Sequence, residues 1–250
     1  MNLTYLEIDH QRSTYDDVVD AYGGAFRDRL SLSWLYHDHA LEGEVIGPED
    51  LDRALDGAPA RNYCDGMMLH SLRAMREGID YIHDAAERQE ELTLDWLRDL
   101  HCRICPDGLE TAGCYRKRDT SPGVYHLDVV QANSLSYHFH KFIDSYHEEW
   151  SRLHPIRQAA FAHWEFMRVF PFDERTGVVG RLMLNFLLLK HHFPPAIIHA
   201  TDRHHYFDAL KGSRSELVEV VADAIRCTIG AAREFDRAHQ RGRRHHQAAL

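Results

Sequence analysis

The sequence predicts a mainly α-helical bundle that carries one β-hairpin. Apolar residues recur at three-and-four spacing through most of the chain, for instance over 156–167 and 217–229, which is typical of amphipathic helices. The stretch 177–192 is apolar nearly all round, which predicts a helix buried on every side in the middle of the bundle. Residues 114–130 are the only convincing strand-like stretch, and they contain a Ser-Pro-Gly turn at 121–123.

The other helical segments follow along the chain with recognisable ends. Their patterns cover residues 15–43, 47–55, 67–89, 93–101, 134–147 and 206–211. Asp50, Thr93 and Ser213 are suitable N-caps. Pro194 and Pro195 end the central helix, because proline lacks the N–H that a helix interior needs. No internal repeat or low-complexity linker marks a second domain.

The composition is that of an acidic globular protein. The 250 residues include 29 Lys and Arg against 39 Asp and Glu, a formal net charge of −10. This balance argues against a chain that coats nucleic acid or an anionic membrane, and no apolar run is long enough to cross a bilayer. Five cysteines and no secretory leader pattern predict a cytoplasmic protein with reduced thiols.

One cysteine cluster has some features of a zinc site. His101, Cys102 and Cys105 are followed by Cys114, but a second ligand pair at zinc spacing is missing. The favoured interpretation is that Cys102 and Cys105 are core thiols at i and i+3 on one helix face. We therefore expect no zinc.

The loop that leads into the central helix carries the candidate chemistry. A helix N-terminus presents free N–H groups and the positive end of the helix dipole, and Gly177 and Gly180 allow close approach of a phosphate. Arg181, one turn inside, adds a guanidinium fork. Glu174 could hold Mg²⁺ bridging phosphates. A loop between two packed helices could also carry these residues for structural reasons alone.

This loop and its flanks resemble the Fic family, whose motif is His-Pro-Phe-x-(Asp/Glu)-Gly-Asn-Gly-Arg-x-x-Arg. The residues that match are Pro171, Phe172, Glu174, Gly177 and Arg181. The resemblance extends over about residues 34–235 and implies a Fic-like helical bundle. It also implies that the hairpin at 113–130 is a flap on which a protein segment docks.

Two further segments belong to the resemblance. Residues 38–43 resemble the family's inhibitory motif, Ser/Thr-x-x-x-Glu-Gly/Asn, which implies that Glu42 pairs with Arg181 and obstructs phosphate placement. Asp38 at the Ser/Thr position is a departure. Residues 202–210 resemble the nucleotide-side segment, which makes Tyr206 a ligand-binding candidate. We expect an N-terminal extension at 1–33, a Fic-like domain at 34–240 and a flexible basic tail at 241–250, and the resemblance is compatible with a homodimer.

The departures from the motif bear on the reaction. The family's histidine deprotonates the target hydroxyl, and Phe170 at that position cannot accept a proton. Arg175 and Thr176 replace Gly-Asn, and Val178 replaces the first motif arginine. Arg175 could replace the lost charge, and a base could come from another histidine; the candidates are His37, His39, His126, His138 and His140.

Two hypotheses follow. The first is an enzyme that binds a nucleotide or other phosphate-bearing ligand at 170–181 and transfers or cleaves a phosphate-linked group without a histidine at 170. Its candidate catalytic residues are Glu174, Arg175, Thr176 and Arg181, its metal residue is Glu174, and its ligand-binding residues are Gly177, Gly180, Arg181 and Tyr206. Standard AMP transfer to a protein is the least favoured reaction. The alternative is a catalytically inactive binding or regulatory protein that keeps the fold.

Overall fold

Ten α-helices form the part of the chain that the computed structural model describes. It describes residues 3–105 and 110–248, with side chains for 5–105 and 110–241. The helices are α1 (Leu3–Tyr22), α2 (Gly24–Leu41), α3 (Pro48–Leu55), α4 (Tyr63–Glu87), α5 (Leu94–Ile104), α6 (Leu135–Glu148), α7 (Pro155–Val169), α8 (Thr176–Lys190), α9 (Arg203–Lys211) and α10 (Arg214–Ala248). Within these residues, none of the helices combines the length and the apolar character needed to cross a membrane.

Helix α8 is the centre of the bundle. Every residue from Thr176 to Leu188 is buried, as its uniformly apolar sequence predicts. Helices α7, α4 and α5 pack around it, and α10 packs against α7, α9 and α1. The first turns of α8 therefore lie inside the bundle, where a charged side chain must find partners.

The predicted helix over 15–43 is two helices. The helix is interrupted at Gly23, whose φ of 48° lies in the left-handed region that glycine adopts without strain. Gly24 follows, and two consecutive glycines have the low helix propensity expected of such a break. The break lets α1 pack along α10 while α2 crosses towards α4.

The β-hairpin prediction is wrong, because the described part of residues 110–130 contains no strand. The carbonyl of Pro122 accepts hydrogen bonds from the backbone N–H groups of both Tyr125 and His126, at 3.1 and 2.8 Å. These bonds make a tight turn and take up N–H groups that a hairpin ladder would need. A protein segment docking on 113–130 stays a prediction, without a hairpin to receive it.

Backbone N–H groups of the two limbs of this segment bond to the end of α7 and to the α7–α8 connection rather than to each other. Arg116 N donates to the carbonyl of Pro171 and Val130 N to that of Arg168, both at 2.9 Å. The buried Arg116 guanidinium donates to the carbonyls of Phe170 at 2.7 Å and of Val130. One side chain thus performs the cross-linking that the predicted ladder would have provided.

The predicted domain limits stay predictions. Helix α2 runs across the boundary proposed at residue 33. Helix α10 continues to Ala248, so residues 241–248 of the expected flexible tail are helical in backbone. Residues 249–250, and the side chains after Arg241, lie outside the described part of the chain.

Candidate functional site

The loop between α7 and α8 begins and ends on residues in the left-handed conformation. Phe170 has φ 46° and Arg175 has φ 60°. For residues other than glycine this conformation costs roughly 1–2 kcal/mol each. At Phe170 the surroundings hold it: its N–H donates to Phe166 O at 2.9 Å, its carbonyl accepts from Arg116, and its ring is buried. Phe170, at the position expected for the base, is thus a buried residue with a fixed backbone.

Arg181 is the charged centre of the site. Its side chain is 3% exposed and forms a two-point ion pair with Asp38, with Nε–Oδ1 at 2.6 Å and Nη2–Oδ2 at 2.9 Å. Nη2 also donates to Glu42 Oε1 at 2.6 Å, and Nη1 donates to the Tyr125 hydroxyl at 2.9 Å. The pairing of Glu42 with Arg181 that the resemblance implies is present, and Asp38 and Tyr125 add two contacts that it did not imply.

These contacts hold Arg181 firmly in the charged form. Burial by itself lowers the pKa of a guanidinium, but the carboxylates of Asp38 and Glu42 raise the pKa of Arg181 well above its ordinary value. Burial raises the pKa of the Tyr125 hydroxyl well above its ordinary value, against the opposing effect of Arg181. Tyr125 therefore stays neutral, donating its proton to Glu42 while it accepts from Arg181.

Gly177 is required by the close approach of this cluster to α8. A Cβ at Gly177 would lie 1.7 Å from the Tyr125 hydroxyl oxygen and 2.7 Å from Glu42 Oε1. The first turn of α8 is therefore covered by a carboxylate and a phenol. An anion in contact with a helix N-terminus is favoured by the helix dipole, and in this structure Glu42 is that anion.

Thr176 serves the loop backbone. Its hydroxyl donates to the carbonyl of Phe172 at 2.9 Å and accepts from the N–H of the same residue at 3.1 Å. The side chain is buried. Both hydrogen-bonding directions of the hydroxyl are thus engaged in closing the loop.

Neither Arg175 nor Glu174 is among the hydrogen-bond partners of Arg181. Arg175 Nη2 donates to Ser71 Oγ at 2.7 Å, and that hydroxyl lies 3.2 Å from His39 Nε2. The Glu174 side chain is exposed and makes no hydrogen bond or ion pair with the residues whose side chains are described. The carboxylate of Glu174 is therefore free to bind a ligand or cation from solvent, whereas the guanidinium of Arg175 is hydrogen-bonded to α4.

Gly180 and Tyr206 both lie next to His163 of α7. A Cβ at Gly180 would lie 2.9 Å from the imidazole of His163, so this glycine lets α8 pack closely on α7. The Tyr206 hydroxyl lies 2.7 Å from His163 Nε2, and both side chains are fully buried. Burial, helped by the charge of Arg181, lowers the pKa of His163 to about 3, so this imidazole is neutral.

In the cysteine cluster, His101 supports the loop. The prediction of two core thiols is wrong for Cys102, which is exposed because it lies on the outer face of α5, while Cys105 is buried. The backbone N–H of Gly113 donates to His101 Nδ1 at 2.8 Å, so Nε2 carries the proton and donates to the Glu174 carbonyl at 3.1 Å. The ring stacks on Phe172 with centroids 3.9 Å apart. Burial lowers the pKa of His101 to about 4. Among the residues that the structure describes, no three His, Cys, Asp or Glu side chains form a metal-binding group.

Sequence reasoning missed the roles of three residues in this region: Asp38, Tyr125 and His101. Asp38 stands one helical turn before Glu42, and side chains at i and i+4 share a helix face. That spacing could have identified Asp38 as a second partner of Arg181. Tyr125 and His101 carry no comparable signal, because their contacts join segments far apart in sequence.

Comparison with known proteins places these observations in one family. Residues 91–188 match the model of the Fic/DOC family. A curated relative, the protein adenylyltransferase Fic of Drosophila virilis, is 25% identical over 241 residues, 90% of this chain and 47% of the relative. The protein of the same name from Nematostella vectensis is 27% identical over 202 residues, 78% of this chain and 46% of the relative. The chain therefore spans about half the length of these relatives.

Solved structures share the fold. A Fic domain containing signalling protein from Bacteroides thetaiotaomicron superposes with a TM-score of 0.75 at 20% identity, covering 91% of this chain and 97% of that one. Fic-1 from C. elegans superposes with a TM-score of 0.74 at 20% identity, covering 92% and 70%. At this level of identity the likeness concerns the fold alone.

Proposed function

This chain belongs to the Fic/DOC family through residues 91–188, and we propose that it binds a phosphate-bearing small molecule at the N-terminus of α8. The ligand is a nucleotide or a nucleotide conjugate, and the reaction transfers or cleaves its phosphate-linked group. Glu42 lies where we propose that the phosphate binds, and in this proposal it has to leave before the ligand enters. The curated relatives are named protein adenylyltransferases. We propose for this chain a related chemistry on a phosphate-linked group.

The observation that carries the proposal is the Glu42–Arg181 contact at 2.6 Å over Gly177. A guanidinium that is 3% exposed and a helix N-terminus converge on this carboxylate. Both favour an anion, and a phosphate oxygen has the charge and the acceptor geometry to take its place.

The loop offers a divalent cation one protein ligand. Glu174 offers one exposed carboxylate beside the loop, and Mg²⁺ is commonly held by one or two carboxylates together with ligand phosphates. We propose Glu174 as the protein ligand of such an ion. With it bound, the metal would neutralise charge on the phosphates.

The reaction proceeds without a base at residue 170. Standard AMP transfer to a protein hydroxyl loses the general base, which contributes about 10²–10⁴ in rate. Of the other histidines, His37 accepts a hydrogen bond from Ala200 N and His39 is bound to Leu35 O and Ser71. His140 Nδ1 is likewise bonded to Ser136 O at 2.7 Å. The candidates for the base whose imidazole makes no hydrogen bond to the described residues are His126 and His138.

The test is a thermal-shift panel of nucleotides and nucleotide conjugates with Mg²⁺ on the wild type and on Glu42→Ala. A ligand that binds the native state raises the melting temperature by mass action. We expect at least one ligand to stabilise Glu42→Ala more than the wild type. Glu44→Ala, which removes an exposed carboxylate two residues away, is the matched control and should behave as the wild type. Equal shifts in all three proteins would contradict the proposal.

The alternative of a catalytically silent binding protein is favoured by one observation. Asp38 holds Arg181 by two hydrogen bonds in which Glu42 takes no part. Product formation from the ligand found in the panel decides between the two functions. For an enzyme, Glu174→Ala abolishes product while the adjacent exposed acid variant Asp173→Ala keeps it. A ligand bound without any product in the wild type and in Glu42→Ala would favour the silent protein.

A further inference from the structure

The positive charge of the site is neutralised before any ligand arrives. The Asp38 and Arg181 side chains are both 3% exposed and are joined by two short hydrogen bonds. Breaking one partner from a buried ion pair is strongly unfavourable. Glu42, at 21% exposure and with a single contact to the guanidinium, is the carboxylate that can leave. A ligand that displaces Glu42 therefore meets Arg181 with Asp38 still in place.

Among the described residues, no second guanidinium contacts the carboxylates of Asp38 and Glu42. Val178, buried in α8, stands where the Fic motif has its first arginine. The Arg175 guanidinium is bonded to Ser71, and that of Arg203 is bonded to the Leu41 carbonyl and lies over the ring of Phe207. Tyr125 contributes a neutral hydroxyl. In contact with the ligand position there remains the helix dipole, equivalent to about half a positive charge; Arg175 and Arg203 stay charged but bond to neutral oxygens outside the cluster.

We infer that Asp38 is a specificity-determining residue, which selects a ligand whose phosphate at this position carries a single negative charge. The chemical class is a diphosphate substituted at both ends, such as a nucleoside diphosphate linked to a sugar or an alcohol. The class selected against is the nucleoside triphosphate. The inference rests on the proposed function and names the ligand class of the same site.

The physical basis is the charge of the phosphate group. A terminal phosphate monoester carries about 1.5 to 2 negative charges at pH 7, because its second pKa is about 6. A phosphate that is substituted on both sides carries one. At an effective dielectric constant of about 20, one additional negative charge about 5 Å from the Asp38 carboxylate lowers affinity by well over tenfold. We expect screening by salt to leave a preference of at least about tenfold.

The experiment measures binding by calorimetry in the presence of EDTA, since Mg²⁺ would mask phosphate charge. ADP-ribose is compared with ATP, and UDP-glucose with UTP, on Glu42→Ala and on the double variant Asp38→Ser, Glu42→Ala. In Glu42→Ala we expect one conjugate to bind at least about tenfold more tightly than its triphosphate. In the double variant, the triphosphate should gain at least about tenfold and the conjugate less. Glu42→Ala combined with Asp28→Asn, which changes a 64% exposed acid of α2, should leave the ratio unchanged.

Each result has one meaning. If ATP or UTP binds Glu42→Ala as tightly as its conjugate, the selection by Asp38 is wrong while the proposed function stands. If no compound binds either variant at millimolar concentration, in EDTA or in a repeat with Mg²⁺, the proposed function fails and this inference fails with it. Should the double variant not fold by circular dichroism, Asp38→Asn replaces Asp38→Ser, and the ratio in Glu42→Ala alone still decides.

Discussion

At the scale of single residues, Gly177 shows how one missing side chain makes the site possible. The Tyr125 hydroxyl and the Glu42 carboxylate both lie where a Cβ would be, at 1.7 and 2.7 Å. Sequence alone identified this glycine as a point of close approach, and the structure shows that the approaching groups belong to the protein itself. The glycine thus admits the internal carboxylate and, in the proposed function, the phosphate that replaces it.

Replacing this glycine should separate the effect of crowding from that of helix propensity. We expect Gly177→Ala to lower the free energy of unfolding by about 1–3 kcal/mol, because Tyr125 and Glu42 must move. Gly230, in the interior of α10, has open space within 4 Å of the position that a Cβ would take, so Gly230→Ala should raise stability by about 0.4–1 kcal/mol. Urea unfolding measures both. Equal stabilisation by the two substitutions would show that Tyr125 and Glu42 make room for a Cβ at residue 177 without loss of stability.

At the scale of elements, residues 114–130 are ordered by a side chain instead of a strand ladder. Their alternating pattern favours a strand, but a ladder needs free backbone groups on both limbs. Pro122, Arg116 and the α7–α8 connection take those groups. The segment is therefore held against the very loop that forms the candidate site.

Removing this side chain should loosen the segment without unfolding the bundle. We expect Arg116→Met to increase the rate of limited proteolysis within 114–130, since the carbonyls of Phe170 and Val130 lose their donor. The helical circular dichroism signal should change little. Arg118→Met, at an exposed position two residues on, is the matched control and should be cut at the wild-type rate. Equal cleavage of both variants would mean that Arg116 does not hold the segment.

At the scale of the whole molecule, buried neutral histidines tie stability to pH. Burial lowers the pKa of His163 to about 3 and those of His101 and His37 to about 4. The unfolded chain binds protons at these groups below about pH 6.5 while the folded chain does not. The stabilisation is therefore complete above about pH 6.5 and is lost as the pH falls towards 4 and then 3.

The share of His163 in this dependence can be measured. It should contribute up to about 1.4 kcal/mol of lost stability for each pH unit between about 6.5 and 3. His163→Gln keeps an acceptor for the Tyr206 hydroxyl and removes the titration, so the free energy of unfolding should fall less steeply with decreasing pH. His204→Gln, at an exposed position, should keep the wild-type slope. An unchanged slope in His163→Gln would rule out this contribution.

The sequence by itself determined the helices and the place of the site. Apolar periodicity is a property of short segments, so the helical body, the buried α8 and the loop at 170–181 could be predicted before any tertiary contact was known. The motif residues likewise identified Glu42 and Arg181 as partners. The break at Gly23 and the missing hairpin lay beyond this reasoning, because each depends on where the neighbouring elements pack.

Only the tertiary structure decided which groups surround Arg181. Asp38 lies 143 residues from it in sequence and Tyr125 lies 56 residues from it, and no local pattern specifies contacts over such distances. The same holds for Arg175. Its guanidinium bonds to Ser71 and does not replace the motif arginine that is missing at Val178. A buried charge takes the partners that packing brings within reach, so the charge of the site is a property of the folded bundle rather than of the motif.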